Sequence, residues 1–378
     1  MGLPSPGYSV AWSASSDVVV DQALVCCSAW SPDGTKLAVG RSDRDTKIWQ
    51  VQEGSSTKWS AVAQIRSLQA GWITSFAWSS DSKSLVTGGD DGVARVYQGT
   101  GTGALSWDTV AQLIAHRDSI WAVAWSPWED IIATGSADGV LHIWRRTQQA
   151  KGALPSPPAT ARSAWTPTGG LRRHGGAIKS ISWSPDGPRL ISGSADATAC
   201  IWEEVSDNKW EETARLEGHE SDVVAVSWCN HEERVATASS DGKVFIWAPG
   251  GEDGWEVVCA LEGLSAHVAG LCFAPAEAEG ANALLLTGGF DKAIRVWQPD
   301  GGMSTWQEHA VLKEHTHPIL SVTWSADGKR IACCQADGSA SVWVRTDNSF
   351  ARWAPQDLRL AGLRGTSKGA SKQRRPVQ

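Results

Sequence analysis

The chain has 378 residues, 42% hydrophobic and 20% charged. That is the balance of a folded globular protein, either two average domains or one large all-β domain, and it excludes a mostly disordered chain. The net charge of −7 disfavours general nucleic-acid binding, and no apolar run reaches the ~18 residues of a membrane helix.

One count is out of proportion: 23 Trp against 5 Phe and 2 Tyr. An internal repeat accounts for it. An Asp followed six residues later by an aromatic recurs seven times in chain order: Asp43 with Trp49, Asp91 with Tyr97, Asp138 with Trp144, Asp196 with Trp202, Asp241 with Trp247, Asp291 with Trp297 and Asp337 with Trp343. Upstream of each Asp lies a second aromatic: Trp30, Trp78, Trp125, Trp183, Trp228, Phe273 and Trp324. Downstream lies a third: Trp59, Trp107, Trp165, Trp210, Trp255, Trp306 and Trp353. Trp12 fits the third class by its offset from Asp21. Only Trp72, Trp121 and Trp128 fall outside the register.

Each repeat reads as four short strands. Val224–Trp228 and Lys243–Trp247 alternate apolar and small or polar residues, and Asp-Gly turns such as Asp33-Gly34 and Asp241-Gly242 separate the runs. Four strands cannot bury both of their faces alone, so the units must stack. Radial stacking gives an all-β, seven-bladed β-propeller of four-stranded antiparallel blades. The predicted organisation is a flexible N-terminus over residues 1–7, a single propeller over 8–356 with an inserted loop at 147–164, and a basic disordered tail over 357–378. A shorter insertion covers 275–282. Two segments compete for the outer strand of the last blade, Tyr8–Ser13 and Ala351–Pro355; the offset of Trp12 favours the first. From Arg364 the tail carries Arg364, Lys368, Lys372, Arg374 and Arg375 without an acid, which reads best as a solubilising extension.

The opening residues lack the charged and apolar regions of a signal peptide, and Pro6 breaks the myristoylation pattern. The eight Cys include no Cys-x-x-Cys pair, so they read as reduced, buried thiols. Adjacent Cys26-Cys27 and Cys333-Cys334 point to opposite faces of a strand and make poor metal ligands. No Gly-x-Ser-x-Gly elbow or phosphate-cradling loop is present, and His219-Glu220 lacks the second His of a zinc-protease helix. The residues point to a non-enzymatic protein with no catalytic residue, cofactor or metal.

The His…Asp…Trp register resembles the WD-repeat (WD40) family. Nine residues before the second-class aromatic stand His116, His174, His219 and His315; four before the Asp stand Thr134, Ser192, Thr237 and Thr287. The resemblance implies a buried hydrogen-bond chain in three complete repeats: His116, Thr134, Asp138 and Trp144; His174, Ser192, Asp196 and Trp202; His219, Thr237, Asp241 and Trp247. Asp21, Gln69 and Leu264 replace the His elsewhere, and Val39 and Cys333 replace the hydroxyl, so those blades are expected to be less rigid. The family's partner-contact positions fall three and five residues after the His and one before the Asp. Here they are Trp72, Trp121, Lys179, Asp222 and Phe290, which implies binding of other proteins. The alternative is that Trp72 and Trp121 plug the mouth of the central channel.

Residues 180–228, with Ala195-Asp196-Ala197-Thr198-Ala199-Cys200-Ile201-Trp202 and Leu216-Glu217-Gly218-His219-Glu220, look like the propeller of the cytosolic iron–sulfur protein assembly targeting complex. So do residues 251–263. This resemblance implies an adaptor, cytoplasmic with the nucleus as a second location, that docks iron–sulfur assembly factors and client apoproteins without holding the cluster. It departs at Ser240, where that family presents an arginine, and around Val296-Trp297-Gln298. The competing expectation is a WD-repeat subunit of another complex: a ubiquitin-ligase substrate receptor, a trafficking coat or a chromatin-associated assembly. The Trp-Asp-x-Arg signature of one ligase class is absent, since Arg145-Arg146-Thr147 follows Trp144.

Overall fold

The computed structural model describes residues 25–41, 45–51, 59–66, 71–99, 107–147, 165–250, 254–264, 267–275, 283–300, 304–345 and 353–356. They form seven four-stranded antiparallel sheets, and in each the strands pair in chain order. Blade three shows the plan: Ile120–Trp125, Ile131–Ser136, Leu141–Arg146 and Trp165–Leu171. The architecture is a seven-bladed β-propeller. Expectations for residues 1–24, the bulk of the insertion at 148–164 and the tail from 357 lie outside the described residues.

Burial explains the sequence pattern of each strand. The second strand is sandwiched between neighbouring blades, so Ile131–Ser136 and Val235–Ser239 are buried at every position. The outermost strand faces solvent on one side, and the last residues of Trp107–Ile114 alternate buried and exposed. Blades approach closely where the second strand carries glycine: a Cβ on Gly135 would lie 2.4 Å from Ile178 Cγ2 of the next blade. The turn after the repeated Asp needs a positive φ, which Gly242 supplies at 83°. Ala197 and Lys292 hold the same turn position at 67° and 64°.

The tryptophan excess has a structural use. In every blade the aromatic ending the first strand meets the aromatic beginning the fourth. Ring centroids lie 5.4 Å apart for Trp125 and Trp165, and 6.0 Å for Trp228 and Trp255 and for Phe273 and Trp306. The other four pairs fall between these distances. Most pairs are edge-to-face, which adds about 0.5–1.5 kcal/mol each beyond burial. Trp78 and Trp183 also tie blade to blade, donating Nε1–H to the carbonyls of Ala29 and Ala124.

Closure corrects one expectation. The outer strand of blade seven is Trp353–Gln356, paired with Ala340–Arg345, whereas the offset of Trp12 favoured residues 8–13. The aromatic pair explains the outcome, because Trp353 sits 5.5 Å from Trp324 in the arrangement used by the other blades. Blades one and seven join through side chains, with Trp30, Leu37, Val39 and Trp49 packed on Ala332, Cys334, Ala340 and Val342.

Candidate protein-interaction face

Because the strands are antiparallel, the loop entering the first strand and the turn between second and third share one end of each blade. The hydrogen-bond chain runs inward from that end. In blade five, Trp247 Nε1–H donates to Thr237 Oγ1 at 2.9 Å, Thr237 Oγ1 lies 2.8 Å from His219 Nε2, and His219 Nδ1 lies 3.1 Å from Asp241 Oδ2. Asp241 also accepts from the backbone of Glu220 and Lys243. Blade four repeats this, with Trp202 Nε1 to Ser192 and Ser192 to His174 both at 2.8 Å and His174 to Asp196 at 3.0 Å. In blade three, His116 lies 2.8 Å from Thr134 and 3.3 Å from Asp138, and Trp144 donates to Thr134 at 2.9 Å.

The order of donors assigns the protons. The carboxylate can only accept, so the ring carries its proton on Nδ1; neutral Nε2 then accepts the hydroxyl proton, and the hydroxyl oxygen accepts the indole N–H. Burial agrees with neutral rings: desolvation pushes the His174 and His219 pKa values down and that of His116 to about 4. Burial alone would raise the partner carboxyls. The backbone N–H groups and the histidine outweigh it, holding Asp138 and Asp241 below the usual range and Asp196 at about 2; for Asp196 the Thr198 hydroxyl adds to this.

Two blades without the histidine contain a substitute that register reasoning missed. Four residues after the repeated Asp stand Arg95 and Arg295. Arg95 reaches Asp91 at 2.8 Å; Arg295 reaches Asp291 at 2.5 Å and Glu308 at 3.0 Å. The four guanidinium and Asp side chains are at most 14% exposed. Where Gln69 or Leu264 replaces the histidine, an arginine from the third strand thus supplies the N–H donors to the Asp, adding a positive charge that the neutral histidine lacks. Blade six retains the rest of the chain, since Trp297 donates to Thr287 at 2.9 Å.

Blade seven keeps His315 but has Cys333 in place of the hydroxyl, 4.0 Å from His315 Nδ1. His315 Nε2 and Trp343 Nε1 are both buried without a partner. Cys333→Thr is therefore expected to stabilise the protein by about 1–2 kcal/mol, since each buried donor or acceptor left unsatisfied costs about 1–3 kcal/mol. The check is the urea midpoint, which should rise at constant slope; no rise would mean that the hydroxyl cannot reach both rings. Five of the seven described cysteines are buried, but Cys259 and Cys272 are only half-buried. Among the described residues no three His, Cys, Asp or Glu side chains converge as metal ligands, and no helix is long and apolar enough to cross a membrane.

On the outer surface of the same end, four of the five contact positions form a continuous stripe. Trp121 starts it in blade three, 42% exposed. Lys179 Nζ of blade four lies 3.9 Å above its ring, and Asp222 of blade five lies 3.7 Å from the same ammonium. Burial depresses the pKa of His267 in blade six; Asp222 opposes this and Lys179 adds to it, so the three groups sense one another. Phe290 completes the stripe, its ring 4.6 Å from His267 and 47% exposed. His267 was missed, although it stands three residues after Leu264, the register position of Trp72 and Asp222. Trp72 lies on the same end, 55% exposed, with no contact to the stripe among the described residues. Trp128 is 49% exposed at the opposite end, where its Nε1–H reaches the Ser184 carbonyl of blade four at 3.2 Å.

Comparison with known proteins agrees with this plan. The family described as WD40, "WD domain, G-beta repeat", matches residues 21–50, 63–98, 107–145, 165–203, 210–248 and 306–344. Protein transport protein sec13 of Aspergillus clavatus is 25% identical over 263 residues, covering 65% of this chain and 72% of that protein. The probable cytosolic iron-sulfur protein assembly protein Ciao1 of Culex quinquefasciatus is 33% identical over 95 residues, 25% of this chain and 24% of its own length. Protein CIA1 of Arabidopsis thaliana is 28% identical over 76 residues, 20% of this chain and 22% of its own. This chain thus aligns with only about a quarter of the iron–sulfur relatives' length. The unmatched stretch after residue 248 holds the blade in which Leu264 and Phe273 replace the usual His and Trp. With six repeats matched over more than half of the sequence, and that remaining blade built on the same four strands, the chain belongs to the WD40 family.

Proposed function

We propose that this chain is a non-enzymatic adaptor of the cytosol that docks proteins on the stripe from Trp121 to Phe290, and that these partners are iron–sulfur assembly factors and client apoproteins. The observation carrying the docking reading is the convergence of half-exposed aromatics and a partly exposed ion pair from four blades on one rigid face. Large aromatics beside partly buried charges are the usual anchors of protein interfaces. The propeller supplies stiffness, so little ordering entropy opposes binding. The partner class follows from the names of the relatives that match short stretches of this chain. In this reading the cluster is cargo of the client, and the propeller positions the proteins that exchange it.

A second reading, a subunit of a protein-transport assembly, draws on the longer alignment with the sec13 protein. Affinity purification with mass spectrometry separates the two: iron–sulfur assembly factors and apoproteins support the first, transport-coat subunits the second. Within either reading, Trp121→Ala is expected to weaken partner capture at least tenfold while lowering the melting temperature by no more than a few degrees, because the ring is surface-held. A large stability loss with unchanged capture would make Trp121 a packing residue.

A further inference from the structure

The stripe contains its own example of cation recognition. Trp121 offers a ring face, Asp222 a carboxylate, and Lys179 fills the space between them, 3.9 Å from the ring centroid and 3.7 Å from the carboxylate. Such distances are well within the ~6 Å over which a cation is attracted to an indole face. Blade two presents the same two components without the cation. Trp72 is the most exposed tryptophan described. Asp90 sits against it: its backbone N–H donates to the Trp72 carbonyl at 3.1 Å, and its carboxylate packs on Gly71, where an added Cβ would fall 1.4 Å from Oδ1. Gly71 is therefore required for the carboxylate to rest beside the Trp72 backbone.

Among the described residues no ion pair neutralises this charge. Arg95 is committed to Asp91, the next residue, at 2.8 Å. Asp118 of blade three adds a second exposed carboxylate, and the adjacent Ser119 hydroxyl donates to the Asp90 carbonyl at 3.1 Å, bringing the two blades together. Arg117 is the nearest basic residue in sequence, and among the described residues no ion pair joins it to Asp90 or Asp118. An exposed indole and two carboxylates at one corner of an otherwise rigid face favour a positive ligand and repel a negative one.

We propose that Trp72 and Asp90 form a seat for a lysine or arginine side chain carried by the protein partner, with Asp118 adding to its negative field. The proposal rests on the docking reading above and gives that face a charge preference: acceptable partners present a basic side chain about one blade away from the group that contacts Trp121.

The test follows indole N–H resonances of the full chain by NMR, with Trp72 identified by the signal lost in Trp72→Phe. An acetylated, amidated Gly-Arg-Gly-Arg-Gly peptide is expected to move the Trp72 signal, and the matching glutamate peptide is expected to leave it in place. Asp90→Asn should weaken the arginine-peptide titration at least fivefold, whereas Glu211→Gln on the outer strand of blade four should not change it. An unmoved Trp72 signal, an equal response to both peptides or an unchanged titration in Asp90→Asn overturns the seat. A Trp72 signal that moves on dilution of the free chain or on added salt would instead mark the seat as filled by the chain's own basic residues or a second copy, and would also overturn it. Trp121→Ala separates this result from the parent reading: it should abolish partner capture yet leave the peptide titration at Trp72 intact. If capture survives Trp121→Ala while the Trp72 titration holds, the docking stripe fails and the seat stands.

Discussion

Arg295→Phe is expected to destabilise the protein by about 3–5 kcal/mol, and adding Leu264→His to it is expected to return most of that loss. The first effect follows from leaving a charge stranded: breaking a buried ion pair from one side costs about 3–5 kcal/mol, because the remaining charge keeps its desolvation penalty. Arg295 bonds both Asp291 and Glu308, and without it Asp291 keeps, among the described residues, the Ala293 N–H at 3.3 Å. The second effect tests whether arginine truly stands in for histidine. Blade five has His219 stacked on Phe245, 4.4 Å between centroids, with Thr237, Asp241 and Trp247 completing the chain. Blade six already holds Thr287, Asp291 and Trp297 at the matching positions. The double variant therefore rebuilds the blade-five arrangement in blade six. Urea unfolding measures both steps; a double variant no more stable than Arg295→Phe alone would show that the two devices are not interchangeable.

That pair of blades also marks where sequence reading stops. The seven registers of Asp and aromatic were enough to obtain blade number and strand order, because each indole position repeats a packing demand that no other architecture makes at that spacing. His116, His174 and His219 were legible for the same reason: a hydrogen-bond chain needs its members at fixed offsets. Arg95 and Arg295 were not, because their offset from the Asp is filled elsewhere by Lys47, His142, Cys200, Phe245 and Ser341, and a basic residue there stands out only when the repeats lacking the histidine are compared with one another. The stripe was half legible. Trp121, Lys179, Asp222 and Phe290 are contact positions that the family resemblance implies, but the cation on Trp121 depends on a distance between blades that sequence spacing does not encode. His267 stands at a contact position of the register too, but a lone imidazole beside Leu264 does not stand out as an interface residue until its ring is seen against Phe290. The outer strand of blade seven was misassigned because an offset to Asp21 was weighed above the aromatic pair that Trp353 makes with Trp324.

Acidification from pH 7.5 to 5 is expected to destabilise the fold well before Asp138, Asp196 and Asp241, whose carboxyls are held below the usual range, are protonated. The rings of His116 and His315 are buried, which lowers both pKa values from 6.5 to about 4. In the unfolded chain each ring takes up its proton near pH 6.5, whereas the folded state resists until about pH 4. Their contribution is therefore complete above pH 6.5 and is lost as pH falls toward 4, by roughly 2 kcal/mol each at pH 5. Asp196 acts in a lower window: its folded pKa of about 2 against 3.8 means that its contribution is present above 3.8 and disappears only as pH falls through 2. The two windows separate the ring from the carboxylate. His315 is the cleaner reporter, because burial is the sole cause of its shift and its Nε2 has no partner to lose. His315→Phe should leave stability at pH 7.5 within about 1 kcal/mol, since a ring of similar size replaces an unsatisfied one, and should flatten the acid limb between pH 6.5 and 4. Urea midpoints at pH 7.5 and 5 decide it: His315→Phe should lose roughly 2 kcal/mol less on acidification than wild type, and an equal loss in both would remove the His315 ring as a source.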